Sequence, residues 1–199
     1  VPFLSGLIGF ALKALVVITV MGMVGVEMTS FVAIIGAAGL AVGLALSGTL
    51  QNFAGGVIIL ILKPFKIGDF IEAQGFTGKV KEITIFATML NTVDNKLVIV
   101  PNGPLSTGAL INYSAEELRR VDFTFGIAYG DDLPTFNKAI HDFIAADERI
   151  LKDPAPFIGL AALADSSVNF TVRVWANTPD YWGVFFDMNE KVYTKFPEY

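Results

Sequence analysis

Residues 36–48 read Gly36-Ala37-Ala38-Gly39-Leu40-Ala41-Val42-Gly43-Leu44-Ala45-Leu46-Ser47-Gly48. On a helical wheel with Gly36 at 0°, Gly39, Gly43 and Ser47 fall at about 300°, 340° and 20°, and Ala37, Ala41 and Ala45 at about 100°, 140° and 180°. Leu40 and Leu44 lie between them, at about 40° and 80°. Two small-residue faces therefore flank one narrow leucine stripe. In lipid, small faces let helices approach closely. A helix with one such face makes a pair. A helix with two meets a neighbour on each side, a repeat that closes into a ring with the leucines at its axis. A leucine ring is a hydrophobic constriction that blocks ions because water withdraws from it. The competing arrangement is a monomeric bundle with Leu40 and Leu44 as core, but two helices offer too few partners to use both small faces.

The flanking sequence has the composition of a membrane segment. Residues 1–62 hold two charges, Lys13 and Glu27, and residues 28–62 hold none. At 1.5 Å per residue the second run is roughly 50 Å long as a helix, against a hydrocarbon core of about 30 Å. It must tilt hard or break. Ser47-Gly48-Thr49 predicts the break, with Gly48 as the kink, because glycine costs about 1 kcal/mol in a helix interior. Beyond it, Leu50, Phe53, Val57, Ile58, Ile61 and Leu62 recur opposite Gln51, Asn52, Gly55 and Gly56, a surface-lying amphipathic helix. Pro64 ends it. Residues 1–26 are apolar except for Lys13 and too long for a cleavable signal. A helical hairpin is predicted, turning at Glu27-Met28-Thr29-Ser30, with Thr29 or Ser30 as N-cap. Lys63, Lys66, Lys79 and Lys81 follow the second run, so residues 63–199 are assigned to the cytoplasm. Lys13 is read as snorkelling to the interface rather than lining an ion path.

The whole chain has 199 residues, is 53% hydrophobic and 17% charged, and carries a net charge of −5. Ordinary soluble domains are about 25% charged. The acidic balance argues against a nucleic-acid partner. Zero Cys and a single His argue against disulfides, thiolate chemistry and His-based metal sites. The first residue is Val, read as a processed or incomplete chain.

Residues 67–100 predict a compact all-β unit of four or five strands, barrel-like. Ile83, Ile85, Ala87 and Met89 alternate with Thr84, Phe86, Thr88 and Leu90. Gly75 and Gly78 mark one turn, Asp94-Asn95 another, and Pro101-Asn102-Gly103-Pro104 ends the last strand. From 118 onward the pattern is α+β. Val121, Phe123, Phe125, Ile127 and Tyr129 alternate. Asp131 or Asp132 caps a helix carrying Leu133, Phe136, Ile140, Phe143 and Ile144. Strands at 157–164 and 168–176 and a helix at 181–196, burying Phe185, Val192 and Phe196, complete a βαββα order that suits a ferredoxin-like sheet.

Chemistry is sparse. His141 has no nucleophile or carboxylate constellation beside it, Asp131-Asp132 is explained by capping, and Gly36-x-x-Gly39 lacks the strand and lysine of a phosphate loop. Trp175 and Trp182 are read as packing residues. No catalytic residue, metal or cofactor is expected.

Three strings carry a resemblance: residues 36–46, Val-Pro-Asn-Gly at 100–103 and Val-Arg-Val-Trp at 172–175. With Lys63-Pro64-Phe65-Lys66-Ile67-Gly68-Asp69 they make the sequence similar to the bacterial small-conductance mechanosensitive channel (MscS) family from about residue 3 to 199. The resemblance implies a homoheptamer in the bacterial inner membrane, multi-pass, with a transmembrane hairpin over 1–62, a cytoplasmic β domain over 63–114 and an α+β domain over 115–199. It implies a pore constriction at Leu40 and Leu44, hinges at Gly48 and Gly56, and helix packing at Gly36, Ala37, Gly39, Ala41, Gly43 and Ala45. A gating contact of Phe3 with Leu46 and Leu50 is implied too. The partners implied are membrane lipids, sister subunits and permeating ions and osmolytes. The family also has a helix before the hairpin and a last strand that joins an axial barrel, while Ser47 stands where it often has glutamine. The reading is a channel opened by membrane tension. Its rivals are a secondary transporter, which calls for more membrane segments and internal repeats, and a membrane-anchored ligand-sensing module.

Overall fold

The computed structural model describes residues 2–196, without the side chains of residues 2–4 and 7. It opens with two helices, α1 (Pro2–Met23) and α2 (Thr29–Leu62). Gly25, at φ 84°, turns the chain between them. Thr29 is the first residue of α2. Met28 holds the N-cap without a side-chain hydrogen bond, so neither predicted cap residue fills that role.

The 34 residues of α2 form one uninterrupted helix, without the break predicted at Ser47-Gly48-Thr49. Strong helix formers flank the Ser-Gly pair on both sides. A break would also leave backbone amides unpaired in an apolar surround, which costs more than glycine's weak propensity. The helix ends where Lys63 turns left-handed at φ 48° and its N–H donates to the Ile59 carbonyl. Pro64 disfavours further helix for the residue before it.

A five-stranded antiparallel sheet follows: β1 (Phe70–Ala73), β2 (Phe76–Ile83), β3 (Ala87–Asn91), β4 (Leu97–Pro101) and β5 (Leu110–Asn112), in the order β4-β3-β2-β1-β5. β4 and β5 are its edges, so the ladder is not closed into a barrel among the described residues. The alternating run Ile83–Leu90 is divided between β2 and β3. The Thr84 N–H and hydroxyl both donate to the Ala87 carbonyl, at 2.8 and 2.7 Å, and fold residues 84–87 into a hairpin turn. Apolar alternation continues through that turn because the residues on both sides face the same core. Gly78 lies within β2 rather than in a turn. A Cβ there would sit 2.7 Å from the Asn91 carbonyl oxygen of β3. Between β4 and β5 the chain forms a short helix, α3 (Asn102–Thr107), where the sequence predicted only the end of a strand. Ile59 of α2 and Phe65 belong to this domain's core with Ile71, Val80, Leu90, Val100 and Leu105.

The last domain contains β6 (Leu118–Ile127), α4 (Leu133–Ala145), β7 (Phe157–Leu163), β8 (Val168–Asn177) and α5 (Tyr181–Lys195). The βαββα order is as predicted, with a three-stranded antiparallel sheet ordered β6-β8-β7. Val121, Phe123, Phe125 and Ile127 pair with Val174, Val172, Phe170 and Val168. These side chains form one face, and both helices bury Phe136, Ile140, Phe143, Val184 and Met188 in the same core. Asp132 is the N-cap of α4, accepting from the Thr135 N–H, while Asp131 accepts from the Ala128 N–H. Tyr129 and Leu133 lie outside the core, exposed. Trp182 is exposed too, stacked on Phe186 rather than packed inside.

Candidate pore helix and its anchor

The two halves of α2 have opposite surroundings. A Cβ built at Gly36, Gly39, Gly43 or Gly48 meets nothing within 4 Å. Ala37, Ala41 and Ala45 are exposed, and Leu40 and Leu44 are 66% and 68% exposed. The described part of α1 reaches α2 along one side only. Phe10, Ala11, Ala14, Leu15 and Ile18 face Ile35, Ala38, Gly39 and Val42 across a cavity of about 530 Å³. On the wheel those α2 positions centre near 250°, whereas Leu40 and Leu44 centre near 60°. The leucines therefore point directly away from α1, and each small face borders them on one side. Leu46 and Leu50, at about 280° and 320°, fall toward the α1 side. The side chain of Phe3, their expected gating partner, lies outside the described residues.

The C-terminal part of α2 is clamped onto the β domain. Gly55 and Gly56 are buried. A methyl at Gly55 would overlap the Asn102 carbonyl, and one at Gly56 would overlap the Ile85 carbonyl and press on the Asn102 amide. Only glycine lets the helix come this close. Asn52 Oδ1 accepts from the Gly103 N–H at 2.9 Å, and Phe53 sits 6.3 Å, centroid to centroid, from Phe86. The face with Gln51, Asn52, Gly55 and Gly56 is thus turned to protein. Leu50, Ile61 and Leu62 stay exposed.

Asn102, fully buried, is the hub of this joint. Its Oδ1 accepts from the Thr88 hydroxyl at 2.8 Å, its Nδ2 donates to the Thr84 carbonyl at 2.8 Å, and its backbone N–H donates to the Phe86 carbonyl at 2.9 Å. A buried polar group with every partner in place fixes one geometry, because any displacement leaves it unpaired. The sequence reading missed Asn102 and Thr88 as a pair and took Asn52 for the wet side of a surface helix. A polar pair, Gln51-Asn52, beside a Gly-Gly in an otherwise apolar helix was the signal for a docked face.

Elsewhere the polar groups are structural. The Tyr113 hydroxyl donates to Glu72 at 2.6 Å, and that contact holds the phenol above its ordinary pKa. Arg149 bridges Asp147 and Asp187, each at 2.7 Å. The Arg149 hydrogen bond, helped by Lys191, lowers Asp147 to about 2. His141 is exposed. Among the described residues there is no group of carboxylates and histidines able to hold a metal ion.

A long apolar helix joined to a small β domain and an α+β domain makes a fold that can be set beside known proteins. The family description "Mechanosensitive ion channel, beta-domain" matches residues 48–115, and "Mechanosensitive ion channel MscS, C-terminal" matches residues 121–198. The chain is 46% identical over 190 residues to the small-conductance mechanosensitive channel of Edwardsiella ictaluri, covering 96% of this chain and 66% of that one. It is 41% identical over 189 residues to an uncharacterized MscS family protein of Buchnera aphidicola, covering 95% and 67%. The crystal structure of Helicobacter pylori MscS in its closed state superposes with a TM-score of 0.88 at 35% identity, covering 96% of this chain and 76% of that one. The chain belongs to the small-conductance mechanosensitive channel (MscS) family, and it spans about two thirds of the length of these curated relatives.

Proposed function

We propose that the chain is one subunit of a homo-oligomeric ring, a heptamer by family resemblance, forming an ion channel that membrane tension opens. It would sit in a bacterial inner membrane as a multi-pass protein with residues 63–199 in the cytoplasm. On hypoosmotic shock it would release ions and small osmolytes. The observation that carries this reading is the placement of Leu40 and Leu44: exposed, opposite α1, between two small faces of which Gly39 alone borders the α1 cavity. Sister helices packing on Gly36, Gly39 and Gly43 on one side and Ala37, Ala41 and Ala45 on the other would leave the leucines at the axis. Of the described helices, α2 is long and apolar enough to span a membrane, and α1 would be the second span.

The mechanism is mechanical. Tension favours the state that occupies more membrane area. Pore helices sliding apart along their small faces widen the leucine ring, which then wets and conducts. Gly48 is the bending point along the free part of the helix, and Gly56 the hinge where the clamped part can yield. Phe3 would transmit the motion of α1 to Leu46 and Leu50. Neither a cofactor nor catalysis is part of the mechanism.

Patch-clamp of the reconstituted protein under graded suction tests the proposal. Large stepwise currents that appear with suction are the expected result. Substrate-coupled flux without steps would support a secondary transporter, and electrical silence at lytic suction a membrane-anchored sensing module.

A further inference from the structure

Two adjoining clefts lie where α2 leaves its apolar stretch. One is lined by Ile59, Leu60, Lys63, Phe65, Lys66, Ile67 and Ile83. The other, of about 490 Å³, is lined by Ile67, Gly68, Lys79, Val80, Lys81, Asn91 and Asn95. They share Ile67, so Lys63, Lys66, Lys79 and Lys81 form one strip around an exposed apolar ridge. Leu60 and Ile67 on that ridge are 50% and 63% exposed.

The four lysines are exposed, and none makes an ion pair among the described residues. Lys96, Arg120, Arg149, Arg173 and Lys191 find carboxylates, whereas Lys138 and Lys152 make no ion pair among the described residues either, so what sets the four apart is their grouping around one apolar ridge. The nearby acids are engaged elsewhere or outnumbered. Asp69 accepts from the Lys66 backbone N–H at 2.9 Å and the Asn112 amide at 2.8 Å. Glu72 accepts from the Tyr113 hydroxyl. Glu82, next to Lys81 in β2, is exposed.

We propose that this strip docks the phosphate headgroups of anionic phospholipids in the leaflet that α2 enters. The inference rests on the membrane-spanning orientation proposed above. An apolar ridge between unpaired lysines matches the layering of a lipid surface, with acyl chains at the ridge and phosphates level with the ammonium groups. The Asn95 amide, whose Oδ1 accepts from Asn91 Nδ2 at 3.2 Å, adds a neutral donor in the second cleft. Because Lys63 and Lys66 follow directly on α2, while Lys79 and Lys81 stand on the sheet that clamps it, a bound lipid surface would hold both sides of the joint.

The test is native mass spectrometry of the purified channel titrated with phosphatidylglycerol or phosphatidylcholine, and patch-clamp in vesicles with and without phosphatidylglycerol. The wild type should bind phosphatidylglycerol at least tenfold better than phosphatidylcholine. Lys63→Gln, Lys66→Gln, Lys79→Gln and Lys81→Gln should each lose about fivefold of that preference, and the combined variant should lose it entirely while phosphatidylcholine binding stays the same. Lys138→Gln and Lys152→Gln, away from the strip, should match wild type. A combined variant that keeps the preference overturns the proposal. So does competition by free glycerol 3-phosphate at concentrations equal to the lipid, which would mark the strip as a site for soluble phosphates. If suction evokes no currents from any variant, the channel reading fails, and the lipid titration still decides whether the strip binds headgroups.

Discussion

Asn52 and Gly103, 51 residues apart in sequence, meet through a single hydrogen bond from the Gly103 N–H to Asn52 Oδ1 at 2.9 Å. It is the polar contact that ties α2 to the start of α3. Removing the acceptor leaves a part-buried N–H unpaired, at a cost of about 1 kcal/mol per subunit. Asn52→Ala should speed hydrogen exchange at the Gly103 amide. Asn52→Asp keeps an acceptor and should restore its protection. Equal exchange in Asn52→Ala and wild type would mean that the bond does not hold the joint.

The two glycines assigned as hinges should respond oppositely to alanine. At Gly56 the added methyl overlaps the Ile85 carbonyl, an overpacking error of about 1–3 kcal/mol that outweighs the gain of about 1 kcal/mol in helix propensity. Gly56→Ala should lower the thermal midpoint of the solubilised protein. At Gly48 the methyl meets nothing, so only the propensity gain remains. Gly48→Ala should leave assembly and midpoint unchanged or raised, and slow the kinetics of closing or inactivation. Identical currents in Gly48→Ala and wild type would move the bending point elsewhere.

Leu44→Ser should give a channel that leaks or opens at lower suction. Each serine replaces apolar surface worth roughly 1.5–3 kcal/mol with a hydroxyl that water can solvate, so the closed constriction stays wet. Leu46→Ser, on the α1 side of the wheel, should not. A Leu44→Ser channel that closes tightly and needs wild-type suction would remove Leu44 from the gate.

Asp147 supplies a pH dependence. Its side chain is 5% exposed, and Arg149 holds it at about 2 against an ordinary value of 3.8. A depressed carboxylate stabilises the fold fully above its unfolded value and loses that contribution as pH falls through the folded one. The window is therefore about pH 4 to 2, and the amount lost about 2 kcal/mol. Asp147→Asn should flatten the acid limb of the stability curve in that window and lower stability at pH 7. An unchanged acid limb would show that the pair contributes nothing net.

The leucine stripe of α2 and the two small faces beside it were legible because helical periodicity sorts residues 36–48 around the helix without reference to any other part of the chain. The alternations of β6 and β8 were equally plain, since one face of each is core. What stayed hidden depends on distant partners. Asn102 looks like a turn residue until Thr84, Thr88 and Phe86 surround it. Gly55 and Gly56 look like the weak side of a surface helix until the Ile85 and Asn102 carbonyls press against them. The turn at Thr84–Ala87 was masked because the apolar period runs on through it. The helix at Gly48 was read as broken on local propensity alone, a smaller quantity than the backbone hydrogen bonds that keep it whole.

The clamp at Gly55 and Gly56 makes α2 a cantilever. Its fixed end is bolted by Asn52, Gly55, Gly56 and Ile59, and its free arm extends to Thr29. Leu44 stands about 17 Å along the arm from Gly55 and Leu40 about 22 Å, at 1.5 Å per residue. A pivot of about 10° at the bolts then sweeps Leu44 through about 3 Å and Leu40 through about 4 Å. Sub-ångström slippage where the helix meets the Ile85 and Asn102 carbonyls is thereby multiplied several-fold at the leucines, so the shape of two glycines sets the throw of residues they never touch.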